Sequence, residues 1–175
     1  MKYSHIDGLD KPISKIVFGT ATPKLFAAVS ENATEKDKAD AFALLDEVYV
    51  SGINTFDCAA HYGEEILGEW MEVRGIREKC VVITKCAHPN KWRHRVTDFD
   101  ILSDIHDSLK KLRTDYVDIY MLHRDNEEVA VSVVADVLNR LYSESKIKLF
   151  GGSNWTHKRI AELNSYAKEH NMQGF

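Results

Sequence analysis

The chain has 175 residues, of which 44% are hydrophobic and 29% charged, and this balance is typical of a soluble globular domain. Its 23 basic and 27 acidic residues give a formal charge of -4 without a long run of like charges, which argues against nucleic acid as a partner. The sequence has no apolar leader segment and no run of about 18 apolar residues, so we expect a cytoplasmic protein with no membrane partner.

Runs with strand character alternate with helical patterns along the chain. A leading hairpin is predicted around the turn dipeptide Asp7-Gly8, and Ile16-Val17-Phe18 is predicted as the first core strand, followed by a loop to about Asn32. Four more strands are predicted, at Ile53–Phe56, Val81–Thr84, Val117–Leu122 and Lys148–Gly151. The predicted helices lie between Thr34 and Gly52, at Glu64–Arg74, from about Asp100, at Val129–Ser143 and from Thr156 to about Glu169.

This alternation, with one strand and one helix in roughly 30 residues, predicts right-handed crossovers onto a parallel sheet. No G-x-G-x-x-G sequence follows the first strand, so a Rossmann dinucleotide fold loses its main support. A (β/α)8 TIM barrel normally needs about 250 residues. If the sheet is of the barrel type, we expect a single partial domain over 1–175. It would hold strands one to five and the start of a sixth at 171–175, and strands seven and eight would be absent.

Polar residues stand at the carboxyl ends of the predicted strands. They are Asp57, Lys85, His123 and the pair Ser153-Asn154. Tyr62 lies just beyond Asp57, where the next helix starts. In a barrel the carboxyl ends of all strands form one face, and active sites are built there. The sequence therefore predicts a carboxylate, a phenol, an ammonium and an imidazole around one opening, at the face formed by the carboxyl ends of the strands.

These four groups are suited to protonating a carbonyl oxygen. A tyrosine, with an ordinary pKa of about 10, donates a proton poorly unless a nearby cation favours its phenolate, and Lys85 can supply that charge. Asp57 would keep the lysine protonated, and His123 can orient the carbonyl oxygen or share the proton transfer. Because no side chain donates hydride, a nicotinamide cofactor is implied.

With these residues in place, the sequence resembles the aldo-keto reductase family. The matching motifs are Phe18-Gly19-Thr20, Gly52 to Tyr62, Glu65-x-Leu67-Gly68, Ile83-Thr84-Lys85, Asp115 to Arg124, and Gly151 to Trp155. The resemblance is specific because these motifs follow the family's order over nearly the whole chain. It implies a TIM-barrel carbonyl reductase in which Tyr62 is the general acid, tuned by Lys85 and Asp57. His123 would position a small-molecule carbonyl substrate.

The resemblance also implies NADPH as the cofactor, with NAD as the alternative. The cofactor-binding residues that it predicts are Gly19, Thr20, Asp57, Ser153, Asn154 and Gln173. In the family a serine and an asparagine hold the nicotinamide carboxamide, and here these are Ser153 and Asn154. No metal site is expected, since the remaining histidines lack a repeated ligand spacing.

Two features depart from the family pattern. Cys58 stands where threonine is common, and this change need not affect the chemistry. The family binds the adenosine phosphate largely after strands seven and eight. We therefore expect a complete tetrad, formed by Asp57, Tyr62, Lys85 and His123, on an incomplete cofactor site. The three cysteines, Cys58, Cys80 and Cys86, are expected to be reduced and mostly buried thiols.

Two functional alternatives stay open. A barrel without its last strands would be non-catalytic, or an assembly partner that self-associates through an open sheet edge. Alternatively, Lys85 would be a Schiff-base nucleophile, as in aldolases, although Asp57 and Tyr62 fit that chemistry less well. The Ser153-Asn154 pair also has a purely structural interpretation, in which Asn154 or Thr156 caps the following helix.

Overall fold

A two-stranded hairpin precedes a sheet of five parallel strands. The computed structural model describes residues 1–175. The hairpin strands are β1 (Tyr3–Ser4) and β2 (Ile13–Ser14), and the sheet strands are β3 (Phe18–Gly19), β4 (Thr55–Asp57), β5 (Val81–Cys86), β6 (Val117–Leu122) and β7 (Ile147–Gly152). The sheet strands pair in chain order and all in parallel. This is the arrangement of a TIM barrel, and it confirms the predicted fold as consecutive strands of that type.

Six α-helices connect and flank the strands. They are α1 (Pro23–Ala27), α2 (Glu35–Val50), α3 (Glu64–Arg74), α4 (Asp98–Leu112), α5 (Val131–Ser143) and α6 (His157–Glu169). Thr34 and Thr97 begin α2 and α4 with capping boxes, in which each threonine hydroxyl accepts from a backbone N–H one turn on. Gly75 ends α3 with a φ of 62°. The predicted α2 cap and α3 bounds are therefore confirmed.

The predicted leading hairpin is also confirmed, and a buried carboxylate ties its loop to the sheet. Asp118 in β6 is fully buried and pairs with Lys11 at 2.7 Å and with Arg77 at 3.0 Å. Its carboxylate also accepts a hydrogen bond from the Val82 N–H at 2.9 Å. Since a buried charge must be paired, these contacts hold the hairpin at the amino-terminal end of the sheet, opposite the candidate site.

The central strands are buried on both faces, as a sheet covered by helices requires. Val81 and Val82 point to opposite faces, and both are fully buried. Phe56 in β4 packs edge-to-face on Trp70 in α3, with 5.4 Å between the ring centroids. Burying a large apolar side chain stabilises a fold by about 1.5–3 kcal/mol. This contact therefore helps to fix the short strand that ends at Asp57.

The predicted first strand is wrong in extent. Ile16 and Val17 lie outside β3 and are 57% and 42% exposed. β3 is an edge strand that pairs only with β4, and only Phe18 and Gly19 have partners in that ladder. The sheet cannot cover the two preceding side chains.

Two loop regions also differ from expectation. The predicted loop to about Asn32 contains α1, which begins with Pro23 after the N-cap Thr22. Residues 171–175 form no strand, because the Gln173 N–H donates to Asn139 Oδ1 in α5 at 2.9 Å instead of joining the sheet.

The three cysteines are free and buried, as predicted. Burial raises the pKa of the Cys80 and Cys86 thiols to about 12. They are therefore protonated and unreactive at neutral pH. Separately, none of the helices is long and apolar enough to cross a lipid bilayer.

Gly68 in α3 packs closely against the last residues of α4. A methyl group there would meet the backbone of Lys111 at 2.4 Å and that of Leu112 at 2.6 Å. We expect Gly68→Ala to lower the free energy of unfolding by about 1–3 kcal/mol or more, measured by urea denaturation. Gly151→Ala is the control, since its methyl would meet only Met121 Cε at 3.9 Å. Equal losses in the two variants would contradict the close approach of the helices.

Candidate active site

The carboxyl ends of four neighbouring strands carry the predicted site residues. Asp57 is the last residue of β4, Lys85 is the last but one of β5, and His123 follows β6 directly. Ser153 follows β7 in the same way. His123 and Ser153 each donate their N–H to the neighbouring strand at 2.8 Å. The ladders thus continue past the strand ends and hold these residues along one edge.

Lys85 is the residue through which the site is connected. Its ammonium forms an ion pair with Asp57 and donates to the Tyr62 hydroxyl at 3.1 Å and the Cys58 carbonyl at 3.0 Å. The residue is only 8% exposed. Burial acts to lower the pKa of Lys85, but the hydrogen bonds to Asp57 and Tyr62 raise it more, so its pKa lies above the ordinary value. The structure thus brings together the predicted carboxylate, ammonium and phenol.

A tight turn sets the position of the Tyr62 phenol. Ala59 and Tyr62 exchange two backbone hydrogen bonds, of 2.9 and 3.1 Å. Gly63 then adopts a φ of 79° before α3 begins. A methyl group at Gly63 would lie 1.9 Å from Thr20 Oγ1. Only glycine therefore lets this turn pack so closely against Thr20.

Thr20 and Gly19 border the same corner of the site. The N–H and the hydroxyl of Thr20 both donate to the Asp57 carbonyl, at 2.9 and 3.0 Å. Gly19 pairs with Asp57 in the sheet, and no atom lies within 4 Å of the place that a Cβ at Gly19 would occupy. Thr20 therefore fixes the backbone of Asp57, while Gly19 leaves open space beside it.

The backbone of His123 is firmly held, but its ring is not. Its carbonyl accepts a hydrogen bond from Asn154 Nδ2 at 3.0 Å. Its ring Nδ1 is buried and has no hydrogen-bond partner. Burial lowers the pKa of His123 to about 4, with further lowering by the nearby His88 and Lys85. The imidazole is therefore neutral at physiological pH.

Two further histidines lie beside His123. The His88 ring packs between those of His61 and His123, with centroid distances of 4.5 and 4.8 Å and edge-to-face geometry. The sequence predicts only ordinary loop roles for His61 and His88, because their spacing matches no motif. The available signal is their place in the chain, since His61 directly precedes Tyr62 and His88 closely follows Lys85.

The Ser153 and Asn154 side chains meet at the carboxyl end of β7. Asn154 adopts a φ of 61° and donates from Nδ2 to Ser153 Oγ at 2.9 Å as well as to His123. The Ser153 hydroxyl hydrogen and Asn154 Oδ1 make no hydrogen bond within the chain. A free donor beside a free acceptor is the complement of a carboxamide, so this pair fits the nicotinamide end of the predicted cofactor.

The helix-cap interpretation applies to Thr156 and not to Asn154. Thr156 Oγ1 accepts a hydrogen bond from the Arg159 N–H at 3.2 Å and begins α6. Gln173 is exposed, and its hydrogen bonds go to Asn139 in α5 and to Gly174. None of them connects Gln173 to the tetrad.

A cavity of about 300 Å³ opens on one side of Lys85. Its polar lining residues are His61, Lys85, His88, Asn90, Arg95, Asp104, Asp107 and Lys111. Because these side chains include hydrogen-bond donors and acceptors of both charges, the cavity favours water and polar groups over apolar ones. Lys85 therefore borders this polar cavity as well as the tetrad.

The charge of Lys85 should depend on Asp57. Asp57→Asn removes the counter-ion of a nearly buried ammonium, and burial then disfavours the protonated form. We expect the pKa of Lys85 to fall below that of an exposed lysine, measured by NMR titration of labelled lysine. Asp7→Asn, in the exposed hairpin turn, is the control. An unchanged pKa in Asp57→Asn would mean that the ion pair does not set the charge.

The low pKa of His123 should make the stability of the fold depend on pH. The pKa is about 4 in the folded chain against 6.5 for an unperturbed histidine, so between these values the unfolded chain binds more protons. The free energy of unfolding should rise as the pH increases from about 4 to about 6.5. Chemical denaturation across this range should give a smaller rise for His123→Gln than for the control His94→Gln. Equal slopes would contradict a neutral His123.

The chain resembles known proteins in both sequence and fold. It matches the model of the aldo/keto reductase family over residues 15–173. It is similar to an aryl-alcohol dehydrogenase (NADP+) of Phanerodontia chrysosporium, with 33% identity over 148 residues, 75% of this chain and 38% of that protein. It is also similar to the aldo-keto reductase YhdN of Bacillus subtilis (strain 168), with 31% identity over 129 residues, 70% of this chain and 39% of that protein.

A solved structure agrees with this relationship at the level of the fold. The glycerol dehydrogenase AKR11B4 of Gluconobacter oxydans superposes with a TM-score of 0.76 at 21% identity, covering 97% of this chain and 61% of that chain. The chain spans less than half the length of the two curated relatives. The family match includes all five parallel strands and the four residues of the tetrad. The chain therefore belongs to the aldo/keto reductase family.

Proposed function

We propose that this chain is an oxidoreductase that reduces aldehydes or ketones to alcohols with NADPH. The observation that carries the proposal is the Lys85 ammonium, which contacts the Asp57 carboxylate on one side and the Tyr62 hydroxyl on the other. Family membership supports the reaction class. The name of the Phanerodontia relative, which includes NADP+, supports the choice of NADPH over NADH.

Tyr62 is the proposed general acid. When a phenol gives its proton to a carbonyl oxygen, a phenolate is left, and a positive charge nearby stabilises it. The Lys85 Nζ lies 3.1 Å from the Tyr62 oxygen and is itself kept charged by Asp57. The site therefore favours the product of the proton transfer without a proton having to leave Lys85.

His123 is the proposed donor that orients the carbonyl oxygen. A neutral imidazole carries one proton, on either Nδ1 or Nε2. Nδ1 is buried without an acceptor, and the positive charges of Lys85 and Arg124 are nearby. A bare lone pair at Nδ1 is favoured in these surroundings, which leaves the proton on Nε2. That N–H can then donate to a substrate oxygen shared with Tyr62.

The proposed cofactor site lies beside the tetrad. Ser153 and Asn154 would hold the nicotinamide carboxamide through their free hydroxyl and Oδ1, and the open space at Gly19 would admit the neighbouring part of the cofactor. When bound, the cofactor supplies the hydride that no side chain can provide. Thr20 would act indirectly, by holding the Asp57 backbone at the edge of this space.

The aldolase alternative has less support. A Schiff-base lysine must lose its proton to become a nucleophile. Lys85 is instead paired with Asp57, and its pKa is raised. The non-catalytic alternative is separated from the proposal by experiment.

Tyr62→Phe tests the assigned chemistry. Purified protein is mixed with NADPH and an activated aromatic aldehyde, and the loss of reduced-cofactor absorbance is followed. We expect the variant to lower kcat by about 10²–10⁴-fold, the usual contribution of a general acid, with the KM for NADPH little changed. Tyr142→Phe, an exposed tyrosine in α5, is the matched control.

The outcomes separate the proposals. Retained activity in Tyr62→Phe would exclude Tyr62 as the acid. No turnover and no cofactor binding by the unaltered protein would favour the non-catalytic alternative. Borohydride trapping of a carbonyl substrate on Lys85 would favour the aldolase chemistry.

A further inference from the structure

The three histidine rings beside the tetrad form one continuous row. The row consists of His61, His88 and His123, and each neighbouring pair is in edge-to-face contact. Only His123 belongs to the tetrad. The middle ring, His88, is therefore the one that joins the loop after β5 to the residue proposed to orient the substrate.

The backbone before His88 is shaped to place this ring. Ala87 adopts a φ of 57°, a left-handed conformation that is uncommon for a residue with a side chain. Its N–H donates to Asp104 Oδ2 at 2.9 Å, and Asp104 is in turn paired with Arg95. Strained residues of this kind persist only where their surroundings hold them, and they concentrate at functional sites.

The His88 ring is itself held in a fixed orientation. Its Nδ1 lies 2.9 Å from the Pro89 carbonyl oxygen. Since a carbonyl only accepts, Nδ1 carries the proton of this bond. The faces and edges of the ring then remain for packing against His61 and His123.

The His123 ring has no comparable anchor of its own. Its Nδ1 makes no hydrogen bond, so the orientation of the ring depends on packing. The ionisable groups that act on it are His88, Lys85, Arg124 and His61, and all of them disfavour a positive charge on it. His88 acts on the His123 ring in two ways, because it packs against the ring and also lowers its pKa.

We propose that His88 is a positioning residue that holds the His123 ring in its carbonyl-orienting geometry by edge-to-face packing. The proposal rests on the proposed reductase function. It assigns His88 no contact with the substrate and no proton transfer. A small displacement of a positioned group costs up to roughly 100-fold in rate, which sets the scale of the expected effect.

Two substitutions separate the packing of His88 from its charge. His88→Phe keeps a ring that can pack edge-to-face but cannot be protonated, and His88→Ala removes the ring. His94→Ala, exposed on the same loop, is the matched control. For each variant, kcat and KM are measured with the aldehyde and NADPH, and the pKa of His123 is measured by NMR titration of its ring protons.

We expect kcat for His88→Ala to fall roughly ten- to hundredfold with the KM for NADPH unchanged, and His88→Phe to recover most of that loss. The pKa of His123 should rise in both variants, because the charge of His88 no longer opposes its protonation. A kcat for His88→Ala equal to that of His94→Ala would overturn the proposal, and so would a His88→Phe variant as slow as His88→Ala. If the unaltered protein reduces no carbonyl, the proposed function fails, whereas a loss in His88→Ala alone, from an active unaltered protein, bears on the positioning by His88.

Discussion

A buried ammonium is the constraint on which this site depends, because its charge must be compensated where the fold places it. Lys85 obtains its carboxylate from the end of β4, so the β4–β5 register has to be correct. The preceding residue points to the other face, where the Thr84 hydroxyl donates to the buried Glu64 at 2.5 Å. A slip by one residue would exchange the two side chains and leave both carboxylates without their partners. The Lys85–Asp57 ion pair therefore favours the correct β4–β5 register and at the same time forms the site.

Much of this arrangement was accessible from the sequence, because it depends on local patterns and on the rule that parallel strands end at one face. The bounds of β6 are those that its apolar run predicts, and α3 begins and ends at the predicted residues. Asp57 and Lys85 could be placed together because each follows such a run. The first strand could not be bounded in this way. Ile16 and Val17 look like core residues in composition, but coverage by the sheet depends on the length of a partner strand that the pattern overestimates.

The place of His61 and His88 in the chain hinted at the site, but the contacts within the histidine row could not be predicted from the sequence, for a different reason. Its middle member is placed by the backbone of Ala87, and alanine carries no signal for a left-handed conformation. That conformation is maintained by Asp104 from α4, which is distant in sequence. The contact between His88 and His123 likewise joins two separate loops. Contacts of this kind are recognised only when the tertiary structure is known, whereas Asp57, Lys85 and His123 are recognised from the strand in or after which each lies.

The contact between Thr20 and Gly63 has a consequence for how this mouth can change over evolution. One threonine bonds to the backbone of the carboxylate residue Asp57 and also packs against the glycine that follows the phenol of Tyr62. A side chain at position 63 would meet the Thr20 hydroxyl itself, so it could be accommodated only if that hydroxyl, with its bond to Asp57, were lost or moved. The proposed acid and its ion pair are in this way linked through Thr20, which directly follows the first sheet strand. This corner is thus expected to change only by paired substitutions.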